Sequence, residues 1–467
     1  MNSPLKKPQQ RPTLAVQKCI ADDCAAEYEI SEQIYACRKC GGTLEIECRL
    51  EELSDLAALR QKWQARAISN DTRDRSGVWR YREVLPFAAD APVVTLFEGN
   101  TPLYDAPKCA NYAGLASLTL KHQGTNPTGS FKDTGMTTAV TQAAILGARA
   151  IVCASTGNTA ASLAAYAARA NVKCVVLLPE NQVSPAKLAQ SMDYGALILE
   201  VAGNFDDCMR LTHELADVSW IYIANSINPF RIEGQKTVAY ELMSQWDWRV
   251  PDHVVVPGGN MGNSSALGKG FEEMRRMGLI DRIPKLSIVQ AEGAAPLARL
   301  FSNLAKAGDQ RAEPYLPEIE TVANPRTLAT AIRIGAPVSW KKALRAVVRS
   351  HGNVISVGEH ELADAKAMIG LEGIGCEPAS AATVAGIKKL VAQHQINKNE
   401  FVVGVLTGHV LKDPDYVSHY HCGTLSFDAS TAGRGEKAQP ILGGFRNSPV
   451  RVAATKEAIV KSLQHGS

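Results

Sequence analysis

The amino-acid sequence predicts an α/β protein with two parallel-sheet domains and a small cysteine-rich module at its N-terminus. Short apolar segments alternate with helical segments from about residue 118 onward, and five of the eleven cysteines fall within the first 48 residues. Apolar strands separated by helices are typical of a parallel sheet that is covered on both faces. The 467 residues suffice for about two to four folding units of roughly 100–200 residues each.

The predicted elements follow one another in a regular order. A polar tail (1–18) precedes the cysteine-rich module, a helix is predicted over 51–66, and the segment 70–105, rich in proline, glycine and charge, is predicted to be irregular. The predicted strands are 150–154, 174–178, 197–201, 220–224, 253–256, 286–290 and 401–406, and the predicted helices are 158–169, 184–194, 205–216 and one that ends at Met277. These strands are too many for one comfortable sheet. We therefore predict an N-terminal unit (1–50), a larger domain (51–130 with 231–467) and a smaller domain (131–230) inserted in it.

Composition and charge exclude several functional classes. Lys and Arg number 50 and Asp and Glu 47, so the net charge is +3 and gives no reason to expect nucleic acid or an anionic membrane as a partner. No run reaches the roughly 18 apolar residues of a membrane span, and the first residues lack the apolar core of a secretory signal. We expect a cytoplasmic protein whose six scattered cysteines are small buried hydrophobic residues.

The segment NPTGSFKDTGM places Lys132 in a tight loop that leads into a helix. Glycine and proline shape the loop, and small residues leave space beside the ammonium group. A lysine at such a junction can be desolvated, and its neutral amine can attack an aldehyde. The alternative is an ordinary solvated lysine.

Two further segments are candidate anion sites at the start of helices. Ser155, Thr156, Asn158 and Thr159 lie between a predicted strand and an alanine-rich helix, where free backbone N–H groups suit a carboxylate or a phosphate. The segment PGGNMGN (257–263) follows a buried strand, and its successive amides form a nest for a phosphate. The alternatives are an ordinary helix cap for the first segment and a structural turn for the second.

Polar side chains also follow two other predicted strands. Thr407, in the segment LTGH, offers a hydroxyl that can hydrogen-bond a ring nitrogen. Ser226 and Arg231, in the segment NSINPFRIEGQK, offer a hydroxyl and a planar guanidinium that suits phosphate. The alternatives are a strand-end turn and a capped helix start with a surface arginine.

An amine, two anion sites and a partner for a ring nitrogen are what a pyridoxal phosphate pocket needs. The segments NPTGSFKD, STGNTAAS, PGGNMGN and TGH, in this order, resemble the tryptophan-synthase-like (fold type II) pyridoxal phosphate enzymes. The segments NSINPFRIEGQKT and TLATAIRIGAPVSW, together with EPASAA, are similar to the threonine synthase branch of that family. The resemblance covers about residues 70–420 and implies the family's two α/β domains and its pyridoxal 5′-phosphate cofactor.

The resemblance also implies a role for each candidate. Lys132 is expected to bind the cofactor covalently and to act as the general base at the substrate Cα. Asn158 is expected to contact the ring hydroxyl and Thr407 the ring nitrogen. The remaining residues are expected to bind the cofactor phosphate (Gly259, Asn260, Met261, Gly262, Asn263), the substrate carboxylate (Ser155, Thr156) and the substrate phosphate (Thr159, Ser226, Arg231, Asn260).

The reaction implied for this branch is a β,γ-replacement that converts O-phospho-L-homoserine and water to L-threonine and phosphate, carried out by a homodimer. Within the family, the alternatives are a threonine or serine dehydratase and a sulfur-incorporating β-replacing synthase, which need no site for a substrate phosphate. From a different class, the alternative is a binding or regulatory protein. Thr134 and Val410 stand where many relatives carry arginine and glycine.

The N-terminal cysteines have the spacing of a zinc ribbon. The pattern Cys19-x4-Cys24-x12-Cys37-x2-Cys40 offers two pairs of thiolates that can form a tetrahedral site. A module this small has little apolar core, so a bound metal would supply its stability. We expect structural zinc on these four residues, with Cys48 outside the spacing. The alternatives are a ribbon with weak or absent metal and redox-active thiols.

Overall fold

The computed structural model describes residues 15–21, 23–180, 185–306, 318–427 and 439–465. Most of the predicted polar tail and the predicted helix start at Ser184 lie outside these ranges. Within them the chain forms sheets of three, six, four and two strands. No helix in these ranges is both long enough and apolar enough to cross a membrane.

The strands and helices are numbered in chain order. The strands are β1 (Ala15–Cys19), β2 (Glu27–Glu29), β3 (Leu44–Cys48), β4 (Leu103–Asp105), β5 (Thr119–His122), β6 (Ala150–Ala154), β7 (Lys173–Pro179), β8 (Leu197–Val201), β9 (Ile221–Ile223), β10 (His253–Pro257), β11 (Lys285–Ala291), β12 (Val354–Val357), β13 (Val402–Leu406), β14 (Ser426–Phe427) and β15 (Gln439–Pro440). The helices are α1 (Leu56–Ala67), α2 (Pro107–Ala113), α3 (Lys132–Ile145), α4 (Asn158–Arg169), α5 (Pro185–Asp193), α6 (Phe205–Glu214), α7 (Pro229–Gln245), α8 (Gly262–Met277), α9 (Pro296–Lys306), α10 (Trp340–Arg349), α11 (Glu359–Leu371), α12 (Pro378–Ala392), α13 (Pro414–Cys422) and α14 (Lys456–His465).

The smaller of the two main sheets has the order β8-β7-β6-β9, and all of its strands are parallel. The central strands β6 and β7 and the edge strand β9 are almost wholly buried, as expected for apolar strands with helices on both faces. All four strands were predicted to within two residues at each end, as were the helices α4, α5 and α6 that follow β6, β7 and β8.

The larger main sheet has the order β12-β11-β10-β13-β5-β4. Its strands are parallel except for the edge strand β4, which pairs antiparallel with β5. The predicted α/β class with parallel sheets is thus confirmed, and β4 is an antiparallel addition. The division of the chain into domains at residues 131 and 231 stays a prediction, although β6–β9 all lie between those positions.

The N-terminal module (15–48) is a separate antiparallel sheet in the order β2-β1-β3. It is hydrogen-bonded to β9 and α3 on one side and to α10 on the other. On one side the Tyr35 hydroxyl accepts a hydrogen bond from the Ile223 N–H of β9 at 2.7 Å, and Gln142 of α3 donates to the Ile30 carbonyl at 2.8 Å. On the other side Lys342 of α10 donates to the Leu44 carbonyl at 2.6 Å. The module therefore links the two halves of the α/β body.

Helices α3 and α7 cross at very short distance, and glycine makes the crossing possible. A Cβ atom on Gly234 would lie 1.9 Å from the Thr134 carbonyl oxygen, and one on Gly135 would lie 2.7 Å from the Arg231 carbonyl oxygen. Neither position tolerates a side chain without movement of the backbone. The crossing fixes the start of α7 against the start of α3, where two of the candidate residues lie.

Candidate active site

The candidate site forms where the carboxyl ends of parallel strands from both main sheets meet. The turn after β6 supplies residues 155–159, the turn after β10 supplies 258–262, and β13 ends beside Thr407. The Lys132 loop is attached to the same place, because the Phe131 N–H donates to the Thr407 carbonyl at 2.9 Å. Ligands of open α/β sheets bind at this edge of the strands.

Lys132 is the first residue of α3, and it is not an ordinary solvated lysine. The surrounding protein desolvates its ammonium group, and this burial, together with the positive charge of Arg231, lowers the pKa of Lys132 to about 7. Its Nζ atom lies 3.9 Å from the centre of the Phe131 ring. At neutral pH a large fraction of the amine is therefore uncharged and nucleophilic, as the loop sequence predicts.

The neighbouring Asp133 holds the Lys132 loop in shape. Its buried carboxylate accepts hydrogen bonds from the Thr128 N–H at 2.7 Å, the Thr128 hydroxyl at 2.6 Å and the Ser162 hydroxyl at 2.6 Å. Burial raises the pKa of Asp133 to about 6 against the opposing effect of these bonds. The carboxylate ties the loop to α4, which begins at Asn158.

Asn158 and Thr407 come from different sheets and meet at one buried carboxylate. The Asn158 amide donates to Glu377 Oε2 at 2.9 Å, and the Thr407 hydroxyl donates to Glu377 Oε1 at 3.2 Å. Burial raises the pKa of Glu377, while the two hydrogen bonds and the charge of Lys132 act in the opposite direction. The side chain of Asn158 therefore does not cap α4, and no other side chain does so.

Ser380 determines which way the Thr407 hydroxyl points. The Ser380 oxygen accepts hydrogen bonds from the Thr407 N–H at 2.8 Å and the Gly408 N–H at 3.0 Å, which occupy both of its lone pairs. Its own proton is then directed at the Thr407 oxygen, 3.0 Å away. Thr407 then donates its single proton to Glu377 Oε1, which leaves one lone pair on its oxygen.

The glycine-rich turn after β10 leaves the start of α8 without a side-chain cap. Met261 precedes the helix in the left-handed conformation, with φ 64°, and accepts a bond from Ser265. The Ser264 hydroxyl and the side-chain amide oxygen of Asn263 are buried there without a hydrogen-bond partner. The backbone amides and the Ser264 hydroxyl at this helix start are donors that a phosphate group would satisfy.

Arg231 is buried, so the alternative interpretation of this residue as a surface arginine is wrong. Only 4% of the residue is exposed. One guanidinium nitrogen donates to the Ala224 carbonyl at 3.0 Å, and Nε has no partner in the structure. Burial lowers the pKa of Arg231 to about 10, which still leaves it charged at neutral pH. A buried positive charge with an unused donor is suited to a phosphate dianion.

The other substrate candidates lie around this arginine pocket. The Asn260 amide donates to the Ser226 hydroxyl at 3.2 Å, so two of the predicted phosphate ligands are in contact. Ser155, Thr156 and Thr159 are partly buried at the turn between β6 and α4. The Ser155 hydroxyl accepts a hydrogen bond from the Gly157 N–H at 3.4 Å.

Comparison with known proteins gives a consistent answer. Residues 94–408 match the model of the family described as pyridoxal-phosphate dependent enzyme. The threonine synthase of Methanocaldococcus jannaschii is 47% identical over 401 residues, which are 86% of this chain and 93% of that protein. The threonine synthase of Mycobacterium bovis is 44% identical over 337 residues, 72% of this chain and 88% of that protein.

The chain belongs to the threonine synthase family of pyridoxal-phosphate dependent enzymes. Solved structures with the same fold include a fungal L-serine ammonia-lyase from Rhizomucor miehei, with a TM-score of 0.56, 18% identity and coverage of 68% of this chain and 95% of that one. Threonine deaminase isoform 2 of Solanum lycopersicum has a TM-score of 0.55 at 19% identity and covers 66% of this chain and 79% of that one. At such low identity these two structures show the fold alone.

The pocket fits the cofactor of this family. Lys132 offers an amine of low pKa, the start of α8 offers uncapped amides for a phosphate, and Thr407 offers a hydroxyl that its bonds with Ser380 and Glu377 hold in place. Gly259 is part of the fit, because a Cβ atom there would lie 3.1 Å from the Ala331 carbonyl oxygen and from Ile332 Cα. The segment TLATAIRIG, which marks the threonine synthase branch, thus packs on the glycine-rich turn itself.

Sequence reasoning missed three polar residues of this site: Asp133, Glu377 and Ser380. Each is buried and each holds a predicted residue rather than being one. Glu377 and Ser380 stand in the segment EPASAA, which carried the family resemblance without an assigned role. The signal was present as a motif, but its contacts depend on which strand ends meet in space.

The four N-terminal cysteines of the predicted ribbon lie together. Their sulfur atoms are all within 4.8 Å of one another, with Cys19 and Cys40 at 3.5 Å and Cys24 and Cys37 at 3.5 Å. Four sulfur ligands at about 2.3 Å from a zinc ion lie about 3.8 Å apart in a tetrahedron. A Cβ atom on Gly42 would lie 3.1 Å from the Cys40 sulfur, so glycine makes room for the cluster. Cys48 is buried elsewhere, against Glu233.

Proposed function

We propose that this chain catalyses the threonine synthase reaction, the conversion of O-phospho-L-homoserine and water to L-threonine and phosphate. One observation of the structure supports it above the others. Arg231 is buried in the Lys132 pocket, keeps an unused Nε donor and lowers the pKa of the Lys132 amine through its charge. A dehydratase or a β-replacing synthase has no substrate phosphate for such a group to bind.

The residues divide the work of a β,γ-replacement. Pyridoxal phosphate, when bound, supplies the electron sink that stabilises negative charge at the substrate Cα. Lys132 accepts the proton from Cα as general base. Arg231, Ser226, Asn260 and Thr159 bind the substrate phosphate and align the Cγ–O bond. A second proton leaves Cβ, phosphate departs from Cγ, Cγ receives a proton, and water adds its hydroxyl to Cβ and a proton to Cα.

The cofactor is expected to be held by the groups that the sequence predicts. Lys132 would bind it covalently, Asn158 would donate to the ring hydroxyl, and Thr407 would face the ring nitrogen. The turn after β10 (Gly259 to Asn263) would bind the cofactor phosphate through its amides. Ser155 and Thr156, with the first amides of α4, would hold the substrate carboxylate.

The decisive experiment is incubation of the purified protein and pyridoxal phosphate with O-phospho-L-homoserine, with assays for threonine and free phosphate. We expect equal amounts of both products. The variant Arg231→Ala is expected to lose turnover by about 100-fold or more, because a buried charged contact is removed, while cofactor absorbance persists. Arg210→Ala is the control, because that arginine is 58% exposed on α6.

Two outcomes would contradict the proposal. Unchanged turnover in Arg231→Ala would remove the argument for a substrate phosphate site. Formation of a 2-oxo acid from threonine or serine, without phosphate release from phosphohomoserine, would establish the dehydratase alternative. A protein that binds no cofactor would instead support the binding-protein alternative.

We also propose that Cys19, Cys24, Cys37 and Cys40 hold a structural zinc ion. The support is the compact sulfur cluster and the space left for it by Gly42. Metal analysis of the purified protein should give one zinc per chain, and the double variant Cys37→Ser/Cys40→Ser should give none. Retention of zinc in that variant would contradict the site.

Finally, we propose a cytoplasmic homodimer. All eleven cysteines are free thiols, which suits a reducing compartment. The dimer rests on the family resemblance alone. Sedimentation or light scattering at micromolar concentration would test it, and a monomeric mass would contradict it.

A further inference from the structure

We propose that Glu377 is a positioning residue of the cofactor pocket, which holds the Asn158 amide and the Thr407 hydroxyl in one fixed arrangement. The proposal deepens the proposed function, because it needs a pocket that binds pyridoxal phosphate. It does not depend on which substrate the enzyme uses.

The first argument is the geometry of the carboxylate. Glu377 precedes α12 and is 4% exposed, and each of its two oxygens accepts from a different sheet's residue, Asn158 after β6 and Thr407 after β13. Its backbone N–H donates to the Gly408 carbonyl at 3.0 Å. The side chain is thus held at both ends while it joins two halves of the pocket.

The space for this carboxylate is built into the sequence. A Cβ atom on Gly408 would lie 2.3 Å from the carboxyl carbon of Glu377 and 2.4 Å from Oε1. The residue after Thr407 therefore has to be glycine, because any side chain there would displace the carboxylate. The segments TGH and EPASAA are matched to each other at this contact.

The second argument concerns the direction of each hydrogen bond. An amide side chain can be reversed at little cost unless a neighbour distinguishes its nitrogen from its oxygen. Because an ionised carboxylate only accepts, Glu377 requires Asn158 to present its NH₂ group. The second N–H of the same group then remains for the cofactor. Ser380 directs its own proton at the Thr407 oxygen, so Thr407 donates its proton to Glu377 Oε1.

The third argument is charge. Glu377 is the carboxylate whose charge acts on the Lys132 ammonium, opposite to that of Arg231. Without that carboxylate charge, the positive charge of Arg231 would act on Lys132 unopposed. We therefore expect the loss of the carboxylate to alter the titration of the bound cofactor as well as its affinity.

The test compares wild type, Glu377→Gln and the exposed control Glu320→Gln, each titrated with pyridoxal phosphate and followed by visible absorbance from pH 6 to 9. Glu377→Gln keeps the shape of the side chain but loses its charge and one acceptor. We expect its cofactor affinity to fall about 10- to 100-fold, with an altered pH dependence of the absorbance bands. Glu320→Gln should match wild type in both.

A wild-type affinity and wild-type spectra in Glu377→Gln would overturn the proposal, and so would a variant that only loses thermal stability. A double-mutant cycle with Asn158→Ala gives a second measurement. If Glu377 acts through Asn158, the two losses in affinity will not add, whereas simple additivity contradicts the proposal. If Glu377→Gln does not fold, Glu377→Asp replaces it, with weaker cofactor binding expected because the shorter carboxylate cannot reach both donors.

The same samples separate this proposal from the proposed function. Threonine and phosphate release are measured for the wild type in parallel. A wild type that binds the cofactor but forms another product contradicts the threonine synthase reaction alone. A wild type that forms threonine while Glu377→Gln binds the cofactor normally contradicts the positioning role alone.

Discussion

Lys132 shows how position along the chain and position in space combine at a single residue. Its loop sequence identified it, and its low pKa comes from groups that the sequence does not place beside it, chiefly the desolvating protein and Arg231. Motif reasoning selected Lys132, Asn158 and Thr407 as candidates, since each stands in a local segment with few alternatives. It assigned no role to Glu377, although this residue stands in the segment EPASAA, because its contacts depend on which strand ends meet in space.

A pH-dependent experiment tests the environment of Lys132. The neutral amine is the form that condenses with an aldehyde, and about half of the Lys132 side chains are in this form near pH 7. We expect the rate of covalent cofactor binding to the apoprotein to fall about tenfold per pH unit below 7 and to level off above about pH 8. Stopped-flow absorbance measures it. A rate that keeps rising up to pH 10 would show an ordinary lysine pKa.

Asp133 gives a second prediction at this scale. In Asp133→Asn an NH₂ group replaces one carboxylate oxygen and cannot accept, so at least one of the Thr128 and Ser162 donors loses its partner in a buried place. We expect the free energy of unfolding to fall by about 1–3 kcal/mol. Urea denaturation of the apoprotein measures it, with the exposed Asp206→Asn as control. Equal stability of the two variants would mean that water replaces the lost bonds.

At the scale of elements, the crossing of α3 and α7 sets the distance between Lys132, the proposed cofactor lysine, and Arg231, the proposed ligand of the substrate phosphate. Strands β6–β11 and β13 and helices α4–α6 were predicted to within two residues at each end, whereas the parallel strand β12 and the buried helix α12 were not predicted. Strand β5 was not predicted either, because its buried Lys121 breaks the apolar pattern. The buried polar helix α7 was missed for the same reason, since its low amphipathicity hides it from periodicity arguments.

Glycine substitution tests the crossing. Gly234→Ala forces a methyl group against the Thr134 carbonyl, and we expect a loss of about 1–3 kcal/mol in the free energy of unfolding together with reduced turnover. Gly370→Ala is the matched control, because it lies in α11 with no atom within 4 Å of the added carbon. There we expect a gain of up to about 1 kcal/mol from helix propensity. Denaturation and activity assays that rank the two variants oppositely would refute the packing argument.

At the scale of the whole molecule, the N-terminal module is packed into the α/β body. Ile46 and Cys48 belong to the core beneath α7 and α8, and Tyr35 belongs to the core of the smaller sheet. The sequence predicted the cysteine cluster but not this placement, since the contacts join residues about 190 to 300 positions apart. Few local signals report such long-range docking.

Metal removal tests the module's contribution. If zinc holds residues 19–40 in shape, a chelator or the variant Cys37→Ser/Cys40→Ser should lower the melting temperature by several degrees, because metal binding and folding are coupled. Cys422→Ser, at an exposed thiol, is the control. Identical melting curves for the double variant and the wild type would show that the thiols stabilise nothing.

The bridging contacts of the module also bear on cooperativity. The module is hydrogen-bonded to both halves of the α/β body, through Tyr35 to β9 and through the Leu44 carbonyl to Lys342. Neither half can unfold alone without breaking its contacts with the module. Calorimetry of the intact protein should therefore show one endotherm, and loss of the module's contacts with the two halves should split it into two.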